Sequence, residues 1–563
     1  MMIGTAKPAA DERTMLGKPA WWKETVVYQV YWRSFFDTNG DGIGDLRGVI
    51  EKLDYIRSLG VDFIWLNPFN ASPGVDNGYD ISDYYAVAPE AGTMADVDRL
   101  IEEAHRRGLK IMMDIVLNHT SDRHPWFLAS RSSKDDPKRN WYIWRDPAPD
   151  GGPPTNWRSY FHPSCWRFDE ATGQYYMHSF AIGQPDLNWA NPEVRQAMYR
   201  MLRFWLDKGV DGLRLDALAL LAKPEVFTDA ADPYDIRYLT HNPGLHDYLQ
   251  EMNREVFRHY DILTVGEVAF VSPEQGVLFV DEERHELHSL FHFEVADEMP
   301  TWDMARFKRI QRRWADALRG RGVMGQFLNN HDHTRQVTRY GNDREYRVQS
   351  AKLLATMVHT LPGIPYVYQG EELGMTGVRF ASIDDYRDVM MKSRYEEEVA
   401  KGRDPEEVLR ELQPLSRDNS RTPMQWNAGR NAGFTTGEPW IRPNPNHGAI
   451  NAEAAEADPD SVLHYYRKLI SLRKEHPVMV YGDFEDISGD DPQVYAYVRK
   501  LGDTAWIVVL NHSDAPGAFE LPEPYAGRKM ELVLGNYADA GERVRAGKLE
   551  LRPHEARILS CNV

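Results

Sequence analysis

Three observations predict the fold class of this chain, an α/β protein built on a TIM (β/α)8 barrel with two additions. Eight short apolar runs alternate with helical patterns between residues 24 and 369. The alternation breaks over 121–190, after the third strand, where an inserted subdomain is expected. From about 479 strands follow one another with turn signals and no helical pattern, which predicts a C-terminal antiparallel β-domain.

The elements follow in order. ETVVYQVYW (24–32) reads as a buried strand, and LRGVIEKLDYIRSLG (46–60) has apolar residues at helical spacing and a terminal Gly. A second strand (61–67), a helix closed by Gly (94–108) and a third strand (110–116) complete a run of right-handed βαβ units. The stretch 121–190 carries SSKDD, PAPDGGPPTNW and many aromatics. A helix with an Asn-Pro start (191–209) restores the rhythm. Strands at 212–216, 262–266, 290–294, 324–329 and 365–369 bring the count to eight. A long polar insertion (371–459) precedes the last barrel helix at 460–477. The expected domains are a barrel in two parts, 1–120 and 191–478, a subdomain at 121–190 and a β-domain at 479–563.

Composition narrows the function classes. The 66 basic and 85 acidic residues leave a net charge of −19, which argues against nucleic acid or an anionic membrane as partner. Only Cys165 and Cys561 are present, far apart, so no disulfide framework is implied and a reducing compartment fits. MMIGTAKPAADERTML lacks the apolar run of a signal peptide, and no stretch approaches the roughly 18 apolar residues of a membrane span. A cytoplasmic protein is expected. The 16 Trp and 28 Tyr raise a carbohydrate ligand, because flat rings suit the apolar faces of sugars.

In a TIM barrel the chemistry sits at the C-terminal ends of the strands. Asp216 ends the fourth strand, Glu267 the fifth, and Asp332 follows the seventh. Arg214 and Asp216 are two apart and share a face, so the cation is expected to keep that carboxylate ionised, as a glycosidase nucleophile requires. Glu267 ends an apolar strand, where desolvation suits a general acid. His119 and His331 are candidate donors to substrate. DTNGDGIGD (37–45) sets oxygen donors at alternate positions, Asp37, Asn39, Asp41 and Asp45 with the Ile43 carbonyl, a spacing that wraps a hard cation. Its twelfth position is Gly48 rather than Glu, so a structural ion loop is expected and not an EF-hand sensor.

These motifs, with VYQVYWRSF, DNGYDISDY, QPDLNW, YQGEELGM and RDNSRTPMQW, resemble the α-amylase superfamily (glycoside hydrolase family 13) from about residue 20 to 440. The chain is most similar to the oligo-1,6-glucosidase and α-glucosidase branch. The resemblance implies a retaining double displacement with Asp216 as nucleophile, Glu267 as acid/base and Asp332 as transition-state stabiliser. It places Arg214, His119 and His331 around the sugar, and Asp76, Tyr79 and Arg417 on the non-reducing glucose. Phe161 and Phe180 match aromatic positions near the site. It implies a structural Ca2+, with Mg2+ as an alternative, and no organic cofactor. The partner is a small oligosaccharide, and no oligomeric state follows.

Two departures matter. The family often has YPRSF where this chain has Tyr31-Trp32-Arg33-Ser34-Phe35, and DGLRLDAL also resembles the trehalose synthase version of its strand. Sucrose isomerases carry an Arg-rich loop after the sixth strand, where this chain has the acidic FHFEVADEMPTWDM, so hydrolysis is expected over isomerisation. In the resembling members Val beside the nucleophile goes with α-1,6 cleavage and Ala with α-1,4. Ala217 therefore gives the expectation of an exo-acting α-glucosidase favouring α-1,4 links. An oligo-1,6-glucosidase, or a transglucosylase or isomerase, is the alternative.

Overall fold

The computed structural model describes residues 20–538 and 547–562. The eight expected strands form one closed parallel barrel: β1 (Val27–Val30), β2 (Phe63–Leu66), β3 (Lys110–Val116), β4 (Gly212–Asp216), β5 (Leu263–Val268), β6 (Ser289–His292), β7 (Val323–Gln326) and β8 (Ile364–Tyr368). Each pairs with its neighbours in sequence, and β8 closes on β1 through Val27 and Tyr366.

Side-chain alternation divides the interior into two levels. Val27, Phe63, Trp65, Met112, Leu263, Val265, Phe291, Ile364 and Tyr366 pack into one apolar plug. The next inward positions toward the strand ends are Gln29, Asn67, Asp114, Arg214 and Glu267, so the same period of two that fills the base lines the mouth with polar groups.

Several strands are shorter than the sequence reading. The run 24–32 is strand only over Val27–Val30, because Tyr31 turns to donate its N–H to Gln369 and a 3-10 turn takes Trp32–Ser34. The predicted 290–294 and 324–329 stop at His292 and Gln326, where the chain leaves the sheet for rim loops. The helix expected over 46–60 is two, Leu46–Glu51 and Leu53–Ser58, divided at Lys52. Others match their end signals: Met94–Arg106 starts on a Thr93/Asp96 capping box, and Pro192–Asp207 on an Asn191 cap with Pro at its first position.

The segment after β3 carries a three-stranded sheet made by Trp144–Arg145, Trp166–Asp169 and Gln174–Met177. The stretch after β8 is more ordered than a polar insertion suggests. It holds helices Val389–Ala400 and Pro405–Leu412 and a helical turn Asp418–Arg421, before the helix Val462–Glu475. The C-terminal region is a five-stranded antiparallel sheet, in the order 483–486, 494–501, 504–511, 556–562 and 531–535, with a separate pair at 517–520 and 548–551. Buried Arg499 ties it to the barrel by donating to the Thr360 carbonyl at 2.6 Å. Among the described residues no helix is long and apolar enough to cross a membrane. Residues 1–19, where a signal segment was sought, lie outside the described residues.

Candidate active site

Strand register builds the floor of the site. Asp114 of β3 lies opposite Arg214 of β4. On the other side Val265 pairs with Arg214 and Gly266 with Leu215, which brings Glu267 beside Asp216. One guanidinium holds all three carboxylates. Arg214 Nη1 is 2.8 Å from Asp114 and 2.5 Å from Asp216, and Nη2 is 2.9 Å from Glu267. Arg214 is 1% exposed, so these carboxylates do for its charge what water does elsewhere.

The protonation of the floor differs from the sequence expectation. Burial pushes Asp216 well above the ordinary carboxylate range and the charge of Glu267 adds to it, while Arg214 pulls back less than the two together. The two carboxyls meet on the two terminal nitrogens of the same guanidinium, so the second acid acts on Asp216 at short range. The expectation counted the cation and left out burial and the second acid. Glu267 is the more open partner, its side chain 21% exposed against 10% for Asp216.

Asp332 is the opposite case. Burial acts to raise it, but His331 at 2.9 Å and the guanidinium groups of Arg421 at 2.7 Å and Arg417 at 3.5 Å hold it well below the usual range. Its carboxylate is therefore held ionised. Gln29 donates to His331 Nδ1 at 2.8 Å, which fixes the neutral ring with its proton on Nε2, toward Asp332 and the Tyr79 oxygen.

A second cation closes the far end. Arg417 reaches Asp76 at 3.2 Å and Asp388 at 2.8 Å, and its guanidinium lies 5.0 Å from the centre of the Phe161 ring. Burial raises Asp76 to about 6 against the pull of Arg417. Tyr79 donates to Asp114 at 2.9 Å and accepts from Asn67. His119 sits 3.1 Å from the Tyr79 carbonyl, with its pKa lowered to about 4 by burial, so the ring is neutral. Phe180 packs against His119 and Phe161 at centroid distances of 5.1 and 5.6 Å.

These groups surround one cavity of about 1080 Å³, lined by Asp76, Tyr79, His119, Phe161, Phe180, Asp216, Ala217, Glu267, Asp332 and Arg417. Arg214 and His331 stand behind this lining, fully buried. Ala217, just past β4, is left-handed at φ 47°, and its N–H donates to Glu267 at 2.8 Å.

Sequence reasoning missed Asp114, Arg421, Asp388 and Gln29. The first carried a signal: an acid inside the apolar run KIMMDIV, on the face that Arg214 shares. Arg421 ends the turn whose N-cap is Arg417. Asp388, within the polar insertion, had no periodic pattern to mark it.

The loop 37–45 is brought together differently. Asp37 accepts from the N–H groups of Asn39, Gly40 and Gly42 and from the Thr435 hydroxyl, and Asp45 caps the following helix through Gly48 N–H. Asp41 accepts from Ile43 N–H at 2.8 Å. The donor set is all oxygen, which is the chemistry of a hard cation. Among the described residues no group of three or more His, Cys, Asp or Glu is arranged to hold a metal ion.

The profile described as "Alpha amylase, catalytic domain" matches residues 29–482, and "Maltogenic Amylase, C-terminal domain" matches 484–558. The oligo-1,6-glucosidase of Parageobacillus thermoglucosidasius is 50% identical over 554 residues, covering 96% of this chain and 98% of that one. The oligo-1,6-glucosidase of Bacillus cereus is 48% identical over 556 residues, with coverage of 96% and 99%. A solved structure of an isomaltulose synthase mutant from Erwinia rhapontici NX5, in complex with its natural substrate sucrose, superposes with a TM-score of 0.94 at 44% identity, covering 97% of this chain and 100% of that one.

Proposed function

The chain belongs to the α-amylase family of glycoside hydrolases, and from that premise we propose that it releases glucose from the non-reducing end of short α-glucosides with retention. The observation that carries this is the carboxyl pair. Asp216 at 2.5 Å and Glu267 at 2.9 Å share the two ends of the Arg214 guanidinium, a close pairing that suits a nucleophile and an acid/base about 5–5.5 Å apart better than an inverting pair about 6.5–9.5 Å apart.

In this mechanism the glycosidic oxygen enters between the pair and takes the proton from Glu267. Asp216, still held by Arg214, attacks the anomeric carbon as the C–O bond breaks. Glu267 then takes a proton from water, which displaces Asp216. Asp332 is ionised throughout and stabilises positive charge developing on the sugar ring. Asp76 and Arg417 grip the terminal hydroxyls and close the cavity behind one glucose.

The relatives support α-1,6 links over the α-1,4 preference expected from Ala217. An α-1,4 preference is the second reading, because Ala217 does line the cavity. The decisive experiment is kcat/KM on isomaltose, maltose, sucrose and trehalose. Glucose from isomaltose at the highest kcat/KM supports the first reading, and maltose in that place supports the second. A rearranged disaccharide from sucrose would make the chain an isomerase. The acidic segment after β6, which contributes Ala296, Asp297, Pro300 and Thr301 to the cavity, favours hydrolysis.

The loop 37–45 is read as the seat of one structural cation, calcium before magnesium, held by Asp37, Asn39, Asp41, Asp45 and the Ile43 carbonyl. Two free, buried cysteines suit work in the cytoplasm.

A further inference from the structure

The inner end of the cavity and its mouth differ in charge. Inside, every carboxylate already meets a guanidinium. At the mouth Arg339, Arg344, Arg379 and Arg394 line the cavity against Asp297 and Asp343. Asp297 is engaged by His333 at 3.0 Å. Arg339 donates to the carbonyls of Ala296 and Met299 rather than to a carboxylate. Arg344, Arg379 and Arg394 are exposed, and among the described residues none of the three forms an ion pair.

Exposed arginine at a rim is ordinary. Here four come from three places in the chain: the helix and loop after β7 (Arg339 and Arg344), the loop that follows β8 (Arg379) and the helix Val389–Ala400 (Arg394). All four line one cavity in a chain of net charge −19, and they outnumber the two aspartates of its rim, so the sign reverses locally on the side where the leaving group departs. The guanidinium fork matches phosphate and carboxylate oxygens.

We propose that the aglycone side of the cavity takes an anionic leaving sugar, one bearing a phosphate monoester or a carboxylate. The inference rests on the glucosidase reading and names the class of its leaving group. The chemistry is unchanged: the C1–O bond breaks, water supplies the new oxygen on C1, a proton goes to the departing hydroxyl, and the anion is not consumed.

The test compares matched sugars at low salt. For the carboxylate, maltobionate is set against maltose as substrate. For the phosphate, glucose 6-phosphate is set against glucose as competitive inhibitor of aryl α-glucoside hydrolysis. The charged member of at least one pair should be favoured about 10-fold, and which pair responds identifies the anion. The advantage should shrink to about 2- to 3-fold in about 0.5 M NaCl. The double substitution Arg379→Gln/Arg394→Gln should depress the charged member about 10-fold more than the neutral one. Hydrolysis of the aryl glucoside with no advantage in either pair overturns the inference and leaves the glucosidase reading standing. No hydrolysis overturns that reading instead, and calorimetric Kd values for glucose 6-phosphate, gluconate and glucose then decide the inference, which equal values overturn.

Discussion

The cavity floor and the loop 37–45 are both built on aspartates, and they satisfy them by different means. On the floor three cations do it: Arg214 holds Asp114, Asp216 and Glu267, Arg417 holds Asp76 and Asp388, and Arg421 with Arg417 holds Asp332. In the loop backbone N–H groups do it, three of them on Asp37 alone. A carboxylate held by a side-chain cation can exchange that partner for substrate and change its protonation. One held by N–H groups of a turn fixes the turn. The floor sets chemistry and the loop sets shape.

The largest effects should follow from breaking the floor at its centre. Asp216→Asn should lower kcat by about 10⁴-fold or more, as loss of a nucleophile does. The melting temperature should stay level or rise, because the substitution removes a carboxyl that burial penalises in its charged form. Glu267→Gln should cost about 10²–10⁴-fold on disaccharides and far less in the first step with an aryl glucoside, whose leaving group needs no proton. Steady-state and burst kinetics read both. A loss under about 100-fold for Asp216→Asn would remove it from the nucleophile role.

Removing a cation should cost stability rather than chemistry alone. Arg417→Met leaves Asp76 and Asp388 buried without their partner, and about 3–5 kcal/mol should be lost in urea denaturation. A loss below about 1 kcal/mol would mean that hydrogen bonds and not the cation satisfy this end.

The next effect is a pH dependence, with opposite signs for stability and binding. Asp76 titrates at about 6 against an ordinary 3.8. The folded state therefore binds this proton more tightly. The group's contribution to stability is full below about pH 4 and is lost as pH rises through 6. The sugar-holding role proposed for Asp76 needs the carboxylate, so on that proposal KM should rise as pH falls below about 6, with kcat less affected. Asp76→Asn should flatten that KM profile.

The smallest effect on turnover should come from the loop. Asp37→Ala strips an acceptor from three N–H groups and should cost about 1–3 kcal/mol of stability, with kcat/KM within about 2-fold of wild type. Chelation should lower the melting temperature of the wild type if a cation occupies the loop. No shift, with no metal found by elemental analysis, would leave the N–H groups as its whole support.

The barrel was legible in the sequence because its signals are local. Each strand is a short apolar run, and helices such as Met94–Arg106 and Pro192–Asp207 start on a side-chain cap. Asp216 and Glu267 were legible for the same reason, as acids at the ends of such runs. Strand lengths were less legible, because Tyr31 leaves the sheet for a bond to Gln369, a residue far along the chain. The protonation of Asp216 was hidden too. It depends on burial and on Glu267 in the adjacent strand, and Arg214 two positions away was the only part of that environment visible in one strand. Asp388 shows the limit most plainly: its role exists only once a helix-bearing insertion folds back on Arg417.

The bond between Asp76 and Arg417 spans 341 residues. At about 5–20 residues per second, a ribosome needs about 17–70 s to synthesise that span. Until β8 is made β1 shows an open edge, and until Arg417 is made the Asp76 end of the cavity has no closing cation. The nascent enzyme is thus inactive until three quarters of it has emerged, and a chain released early offers sticky strands rather than partial activity.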